Sequence, residues 1–235
     1  MNLVREPGVF TVKIHSILRV APLMVLALAA GCTDPTADKT AARMSDPSAP
    51  APAAPAPAAT PDAEAPALAA AATVFAFNGD TSSIGFEGYK VTGAHTGGFA
   101  KFDGKVTVPG GDLNKAQLEL GIDMLATFSD DPGLTKKLLS ADFFDVEKFP
   151  TATFTSTSIV EAGIMYDVTG NLTLHGVTKG ITFPAEIKID GGALTATAEF
   201  TINRMEWGVV YPGMADDAIR ENVLLTFDVK AKSAS

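Results

Sequence analysis

From Val74 to about Lys232 apolar residues recur at every second position, and this period restricts the fold more than any other feature of the chain. Successive side chains of an extended strand point to opposite faces, so a period of two predicts strands with one apolar face each. Phe75 and Phe77 alternate, as do Ile84 and Phe86; Phe99 and Phe102 lead into Val106 and Val108. Ala116, Leu118, Leu120 and Ile122 oppose Gln117, Glu119 and Gly121. The pattern returns at Tyr166, Val168, Gly170, Leu172 and Leu174, and again at Ile181, Phe183, Ala185, Ile187 and Ile189. It closes with Leu194, Ala196, Ala198, Phe200 and Ile202, then Val223, Leu225, Phe227 and Val229. Gly, Asp, Asn or Pro ends each run. Eight or nine such strands predict an all-β antiparallel sandwich or closed barrel, and closure removes edges that invite aggregation. Gly97-Gly98 and Gly110-Gly111 read as turns.

One helix interrupts the strands, over about Pro132 to Leu139. Asp131 caps it, Pro132 suits its first position, and Leu134 and Leu138 share a face at i and i+4. Lys136 and Lys137 in the last turn complement its dipole. The expected role is to cap one barrel end, with Phe143 and Phe144 pointing inward.

The N-terminus carries a different signal. Arg5, Lys13 and Arg19 precede an apolar run, Val20 to Ala30, too short to span a bilayer as a helix. It ends Leu28-Ala29-Ala30-Gly31-Cys32. Small residues before a cysteine resemble the bacterial lipobox, although Ala29 takes the place of the usual Leu. Residues 1–31 are therefore expected to be a lipoprotein signal and Cys32, the only cysteine, the lipidated residue; no intramolecular disulfide is then available. Residue two after cleavage is Thr33 rather than Asp, which favours an outer-membrane location facing the periplasm. Residues 32–73, with eight of the fifteen prolines, read as a disordered Pro/Ala-rich tether, leaving 74–235 as the globular domain. Of 18 basic and 27 acidic residues, three basic and one acidic lie in residues 1–31, so the remainder carries a net charge of −11. Such a domain is a poor partner for nucleic acid, and membrane attachment falls to the acyl anchor.

The stretch Leu139 to Ile159, LSADFFDVEKFPTATFTSTSI, packs a helix exit, an aromatic pair and a strand start into twenty-one residues. SADFFDVEKFPTATFTST resembles the signature of the YceI-like family of lipid-binding proteins. NLTLHGVTKGITFPA (171–185), FTINRMEWGV (200–209) and GYKVTGAHTGGFAKFDGKV (88–106) resemble further segments of that family, so the likeness spans Phe75 to Lys230. One departure is Lys137, where a subgroup carries His before the Leu and Ser of H-L-x-S. The resemblance implies a lipocalin-like antiparallel closed β-barrel of about eight strands. It also implies binding, sequestration or transport of an isoprenoid or other amphiphilic lipid, without catalysis. The alternative is a solid barrel acting as a structural or interaction lipoprotein. Small residues on inward faces (Gly170, Ala185, Ala196, Ala198) leave room either for a ligand chain or for the helix and its phenylalanines.

Few residues here are equipped for chemistry. Beyond the signal there are two histidines, His95 and His175, eighty residues apart and without the spacing of a metal site. No nucleophile elbow is present, and the paired glycines lack the strand–loop–helix setting of a phosphate loop. The reading is a binding protein rather than an enzyme, with no metal and no cofactor, its oligomeric state left open. Arg204 is the first candidate for a headgroup contact, because a guanidinium grips phosphate or carboxylate bidentately; the other reading pairs it with Asp142 or Glu206. His175 is either a mouth residue touching the headgroup or a solvated turn residue. Lys90 is a further headgroup candidate, Trp207 packs over a barrel end within reach of ligand, and Phe143, Phe144 and Phe154 are the apolar contacts.

Overall fold

The computed structural model describes residues 34–48 and 72–233. The signal segment, Cys32 and most of the Pro/Ala-rich stretch lie outside the described residues. The strands are β1 (Arg43–Ser45), β2 (Ala72–Asn78), β3 (Ser83–Lys90), β4 (Gly93–Phe99), β5 (Phe102–Pro109), β6 (Gln117–Asp123) and β7 (Thr127–Ser129), followed by helix α1 (Pro132–Leu139). After it come β8 (Thr151–Ala162), β9 (Met165–Leu174), β10 (Val177–Asp190), β11 (Ala193–Asn203), β12 (Gly213–Met214) and β13 (Asp217–Ser233).

The ladder runs β10–β9–β8–β6–β5–β2–β13 and returns through β11 to β10, an antiparallel ring of eight strands. Closure is the expected barrel. Three members of the ring are bent and continue in a second piece. β2 and β3 follow one another along β13, which pairs Lys232 with Ala76 and Phe227 with Ile84. β4 pairs β3 and β5 pairs β2, and β7 carries on from β6 after a 3-10 turn at Met124–Ala126. The bends split this wall into a lower storey (β2, β5, β6) and an upper one (β3, β4, β7).

Local chemistry explains the bends and the helix. Asp131 accepts a hydrogen bond from the Leu134 amide at 2.6 Å and Pro132 opens the helix, as the sequence predicts. Gly97 and Gly98 differ from expectation: they lie inside β4, not in a turn. A Cβ on Gly97 would collide with the Phe86 ring, and one on Gly98 would meet the Phe128 ring at 3.0 Å. Glycine here is a seat for a cross-strand aromatic. Gly110 and Gly111 do form a turn, both at positive φ.

A second difference concerns residues 34–48, read as tether. They lie along the barrel, and β1 pairs antiparallel with β10, Arg43 opposite Thr182 and Ser45 opposite Gly180. Thr36 is buried, Lys39 pairs with Glu199 at 2.8 Å, and Arg43 pairs with Asp167 at 2.7 Å. The first strand of the globular unit after this strap begins at Ala72.

Candidate functional site

A cavity of about 380 Å³ runs inside the barrel, within the ~300–1,000 Å³ range of small-molecule sites. Its walls are the inward faces the alternation marks out. On β10 and β11 these are Ile181, Phe183, Ala185 and Ile187, then Leu194, Ala196, Ala198 and Phe200. Phe183 and Phe200 stack at 4.2 Å between centroids and 13° between planes, and Phe227 of β13 extends the stack, 5.8 Å from Phe200. Three alanines beside these rings provide the width.

Gly170 does not widen the cavity. A Cβ there would collide with the Phe154 ring, so the glycine receives that phenylalanine instead of leaving room for a ligand. Phe154 then faces the cavity and leans on Phe183 at 5.6 Å. Leu172, Ala196, Ala198, Leu225 and Phe227 point inward and yet are only half-buried. They border unfilled space, whereas α1, Phe143 and Phe144 reach only the upper end. Phe143 packs on Tyr211 at 5.3 Å and on Phe144 at 6.3 Å, in a small cluster with Leu138 of α1 and Val209.

Polar groups gather at the same end. Lys90, at the tip of β3, lines the cavity and pairs with Asp217 at 2.8 Å. Asp217 also accepts from the Thr92 amide and hydroxyl at 3.0 and 2.9 Å, so one carboxylate ties the β3–β4 hairpin to β13. The Lys90 hydrogen bond holds the Asp217 carboxyl below its ordinary pKa. Lys137 lines the cavity as well; it pairs with Asp142 and lies 4.1 Å above the Tyr211 ring. The Asp142 hydrogen bond raises the Lys137 pKa. His95, opposite Gly88 on β4, faces the cavity and meets Asp130 at 2.9 Å. The arrangement is an apolar tube with two ammonium groups and an imidazole at one rim, each beside a carboxylate.

The candidates read from sequence fare unequally. Phe143, Phe144, Phe154 and Lys90 all border the cavity. Arg204 borders it too but is 5% exposed and pairs with neither Asp142 nor Glu206, which hold Lys137 and Lys179 respectively. Its Nε and Nη2 donate to the carbonyls of Arg220 and Ile219 at 3.1 and 3.3 Å, and Nη1 donates to that of Val209. Burial pushes its pKa down. Arg204 thus pins the loop after β11 to the start of β13, shaping the rim through other residues. Trp207 is fully buried beside the cavity wall, its Nε1–H donating to the Leu172 carbonyl at 3.1 Å, and does not line the cavity. His175 occupies the β9–β10 turn at φ 50, packs on Phe149 at 4.6 Å and donates from Nδ1 to the Trp207 carbonyl at 3.2 Å. It lies off the cavity, as a turn residue. Lys137, His95, Tyr211 and Asp217 were missed as rim residues. The His95 and Lys90 positions could have been linked by pairing the hairpin about Val91-Thr92; the Lys137–Tyr211 contact is non-local and has no sequence signal.

A family model described as the YceI-like domain matches residues 75–231. A UPF0312 protein of Pseudomonas putida (strain W619) is 35% identical over 130 residues, which are 52% of this chain and 68% of that protein. Protein YceI of Salmonella arizonae is 40% identical over 95 residues, 40% of this chain and 50% of that protein. Among solved structures, Burkholderia cenocepacia BcnA superposes with a TM-score of 0.60 at 24% identity, covering 66% of this chain and 99% of that one. A polyisoprenoid binding domain from Saccharophagus degradans superposes with a TM-score of 0.55 at 16% identity, covering 70% and 99%. At such identities the two structures establish a common fold.

Proposed function

Because this chain belongs to the YceI-like family, we propose that its barrel binds an isoprenoid or similar amphiphilic lipid, tail inside and headgroup at the rim. The observation that carries this is the set of inward apolar residues left half-buried around a continuous cavity. Burying such surface under an alkyl or prenyl chain is favourable by about 25 cal/mol per Å². Charged groups gathered at one rim fix which way an amphiphile lies. Lys90 and Lys137 each keep N–H donors beyond their carboxylate partners, and an ammonium has three. A hydroxyl, carboxylate or phosphate headgroup suits them. The solved neighbour named as a polyisoprenoid binding domain supports a prenyl tail.

The reading extends to the setting. The lipobox-like Cys32 supports an acyl-anchored protein of the bacterial envelope, facing the periplasm from the outer membrane, that sequesters or carries its lipid without chemical change. Organic extraction of protein purified without detergent, followed by mass spectrometry, tests the binding. The expected extract holds one class of amphiphile at near-equimolar amount; an extract without lipid, together with no uptake of farnesol or geranylgeraniol, argues for the solid barrel. Mass analysis of the mature N-terminus tests the anchor, with a diacylglyceryl mass on Cys32 expected and an unmodified thiol refuting it.

A further inference from the structure

One ladder of the closed ring covers only part of its two strands. The β10–β11 ladder runs from Asp190–Ala193 to Glu186–Thr197 and stops there. Beyond that point β10 continues back to Val177 and β11 on to Asn203 with no ladder between them. Pro184 lies two residues past the last pair. It has no N–H to donate, and proline within a sheet marks an edge or a break. The seam that opens is bridged higher up by the strap. β1 pairs antiparallel with β10 at Gly180–Thr182, while Ala42 donates to the Thr201 carbonyl at 2.8 Å and Thr201 donates to that of Thr40 at 2.9 Å. The strap is an inserted strand between two that no longer reach each other.

Between the strap and the last β10–β11 pair remains a window. From outside it is a groove of about 420 Å³, bordered by Thr40, Met165, Pro184, Glu186 and Glu199. Thr197, Ala198 and Phe227 border both this groove and the interior cavity. Over the stretch where β10 and β11 are unpaired, the inner face carries the Phe183–Phe200 stack with Phe227 against it. Aromatic rings rotate without breaking backbone hydrogen bonds, so this wall opens more easily than a ladder.

Resting on the lipid-binding reading above, we propose that this seam is a lateral portal for the lipid tail, and that residues 34–48 are its latch. With the strap seated, β10 and β11 are held at fixed separation and the rings stay stacked. With it lifted, the seam widens and the tail passes sideways instead of threading the polar rim. Gly180 is built for the latch, since an added Cβ would meet the Asp46 carbonyl at 2.6 Å and the Ser45 carbonyl at 3.1 Å.

The test uses cis-parinaric acid, which fluoresces on entering an apolar site, in stopped-flow exchange with the full chain. Gly180→Ala unseats the strap without altering a cavity-lining residue; release is checked by faster trypsin cleavage at Arg43. A second variant, Arg43→Cys with Thr182→Cys, locks the strap where β1 and β10 set these two residues directly opposite one another, within disulfide reach. Expected is an equilibrium affinity close to wild type in both, with exchange about tenfold faster in the Gly180→Ala protein, equal to ~1.4 kcal/mol off the barrier. The oxidised lock should exchange severalfold more slowly than wild type, and reduction should restore its rate. Equal exchange rates in all three proteins, at equal affinity, overturn the portal and leave lipid binding intact. No binding of parinaric acid to any of them removes the binding reading and the portal together. If the Gly180→Ala protein does not fold, oxidation and reduction of the locked pair decide alone.

Discussion

Replacing Gly170 by Ala isolates one contact on which the barrel interior depends. The substitution adds a single methyl to β9, in a strand where Ala is ordinarily better than Gly by roughly 0.5–1 kcal/mol. Here that methyl meets the Phe154 ring and the Thr155 carbonyl oxygen, the latter at 2.5 Å. The ring can turn toward the cavity, but the carbonyl belongs to the adjoining ladder and cannot retreat. Overpacking of this kind costs about 1–3 kcal/mol; against the gain just given, the net effect is a loss of up to about 2.5 kcal/mol, with its middle at about 1–2 kcal/mol. For a domain of this size that lowers the midpoint of thermal unfolding by roughly 2–8 °C. The matched control is Gly121→Ala in β6, where the nearest atom to the new methyl is the Asp103 carbonyl at 4.0 Å. With no collision, this variant should gain about 0.4–1 kcal/mol through the unfolded chain. Both are measured by urea and thermal unfolding at one pH. The Gly170→Ala protein should also take up less lipid, because the displaced Phe154 ring occupies cavity volume. If the two variants shift stability in the same direction by the same amount, the aromatic seat at Gly170 is refuted.

Three further outcomes follow from the same geometry. Ala196→Phe, which fills the cavity from a half-buried position, should leave the unfolding midpoint within a few degrees of wild type and strip most of the bound lipid; retained lipid would show that the chain lies elsewhere. Arg204→Met leaves the Val209, Ile219 and Arg220 carbonyls without their donor and should cost on the order of 3 kcal/mol, at 1–3 kcal/mol per buried unpaired group. Lys at 204 should recover only part of this, since an ammonium cannot reproduce the three-way fork, and unchanged unfolding would contradict the pinning role. The carboxyls of Asp123 and Asp217 are held below their ordinary range by hydrogen bonds from Lys101 and Lys90. A folded-state pKa below the unfolded one stabilises fully above the unfolded value, near pH 4, and that contribution is lost as pH falls through the folded value. The contribution of these pairs to stability should therefore be flat from pH 5 to 8 and fall in acid below about pH 4; a decline already at pH 5 would assign the rim a different charge state.

Much of this architecture is legible in the sequence for local reasons. The period of two marks the inward faces of β6, β9, β10, β11 and β13, and Asp131-Pro132 marks the start of α1 where the structure has it. Phe143, Phe144, Phe154 and Lys90, candidates in the sequence, all border the cavity. What was not legible depends on contacts distant in sequence. β4 is glycine-rich, and its bulk is supplied by Phe86 and Phe128 from other strands, so its own residues read as a turn. Residues 34–48 are polar and proline-bearing, and the strand that β1 pairs with, β10, lies some 140 positions later. Arg204 looked available to a ligand because the three carbonyls that occupy it come from two segments after its own strand.

The central claim is that the half-buried inner wall is covered by a lipid. Native mass spectrometry of the protein, purified without detergent from a bacterial host, tests it most directly. The account predicts a bound species of a few hundred daltons or more, on the order of a small-molecule ligand for such a cavity, lost on organic extraction and regained with geranylgeraniol. A clean unliganded mass, unchanged after incubation with prenyl alcohols and fatty acids, would contradict it.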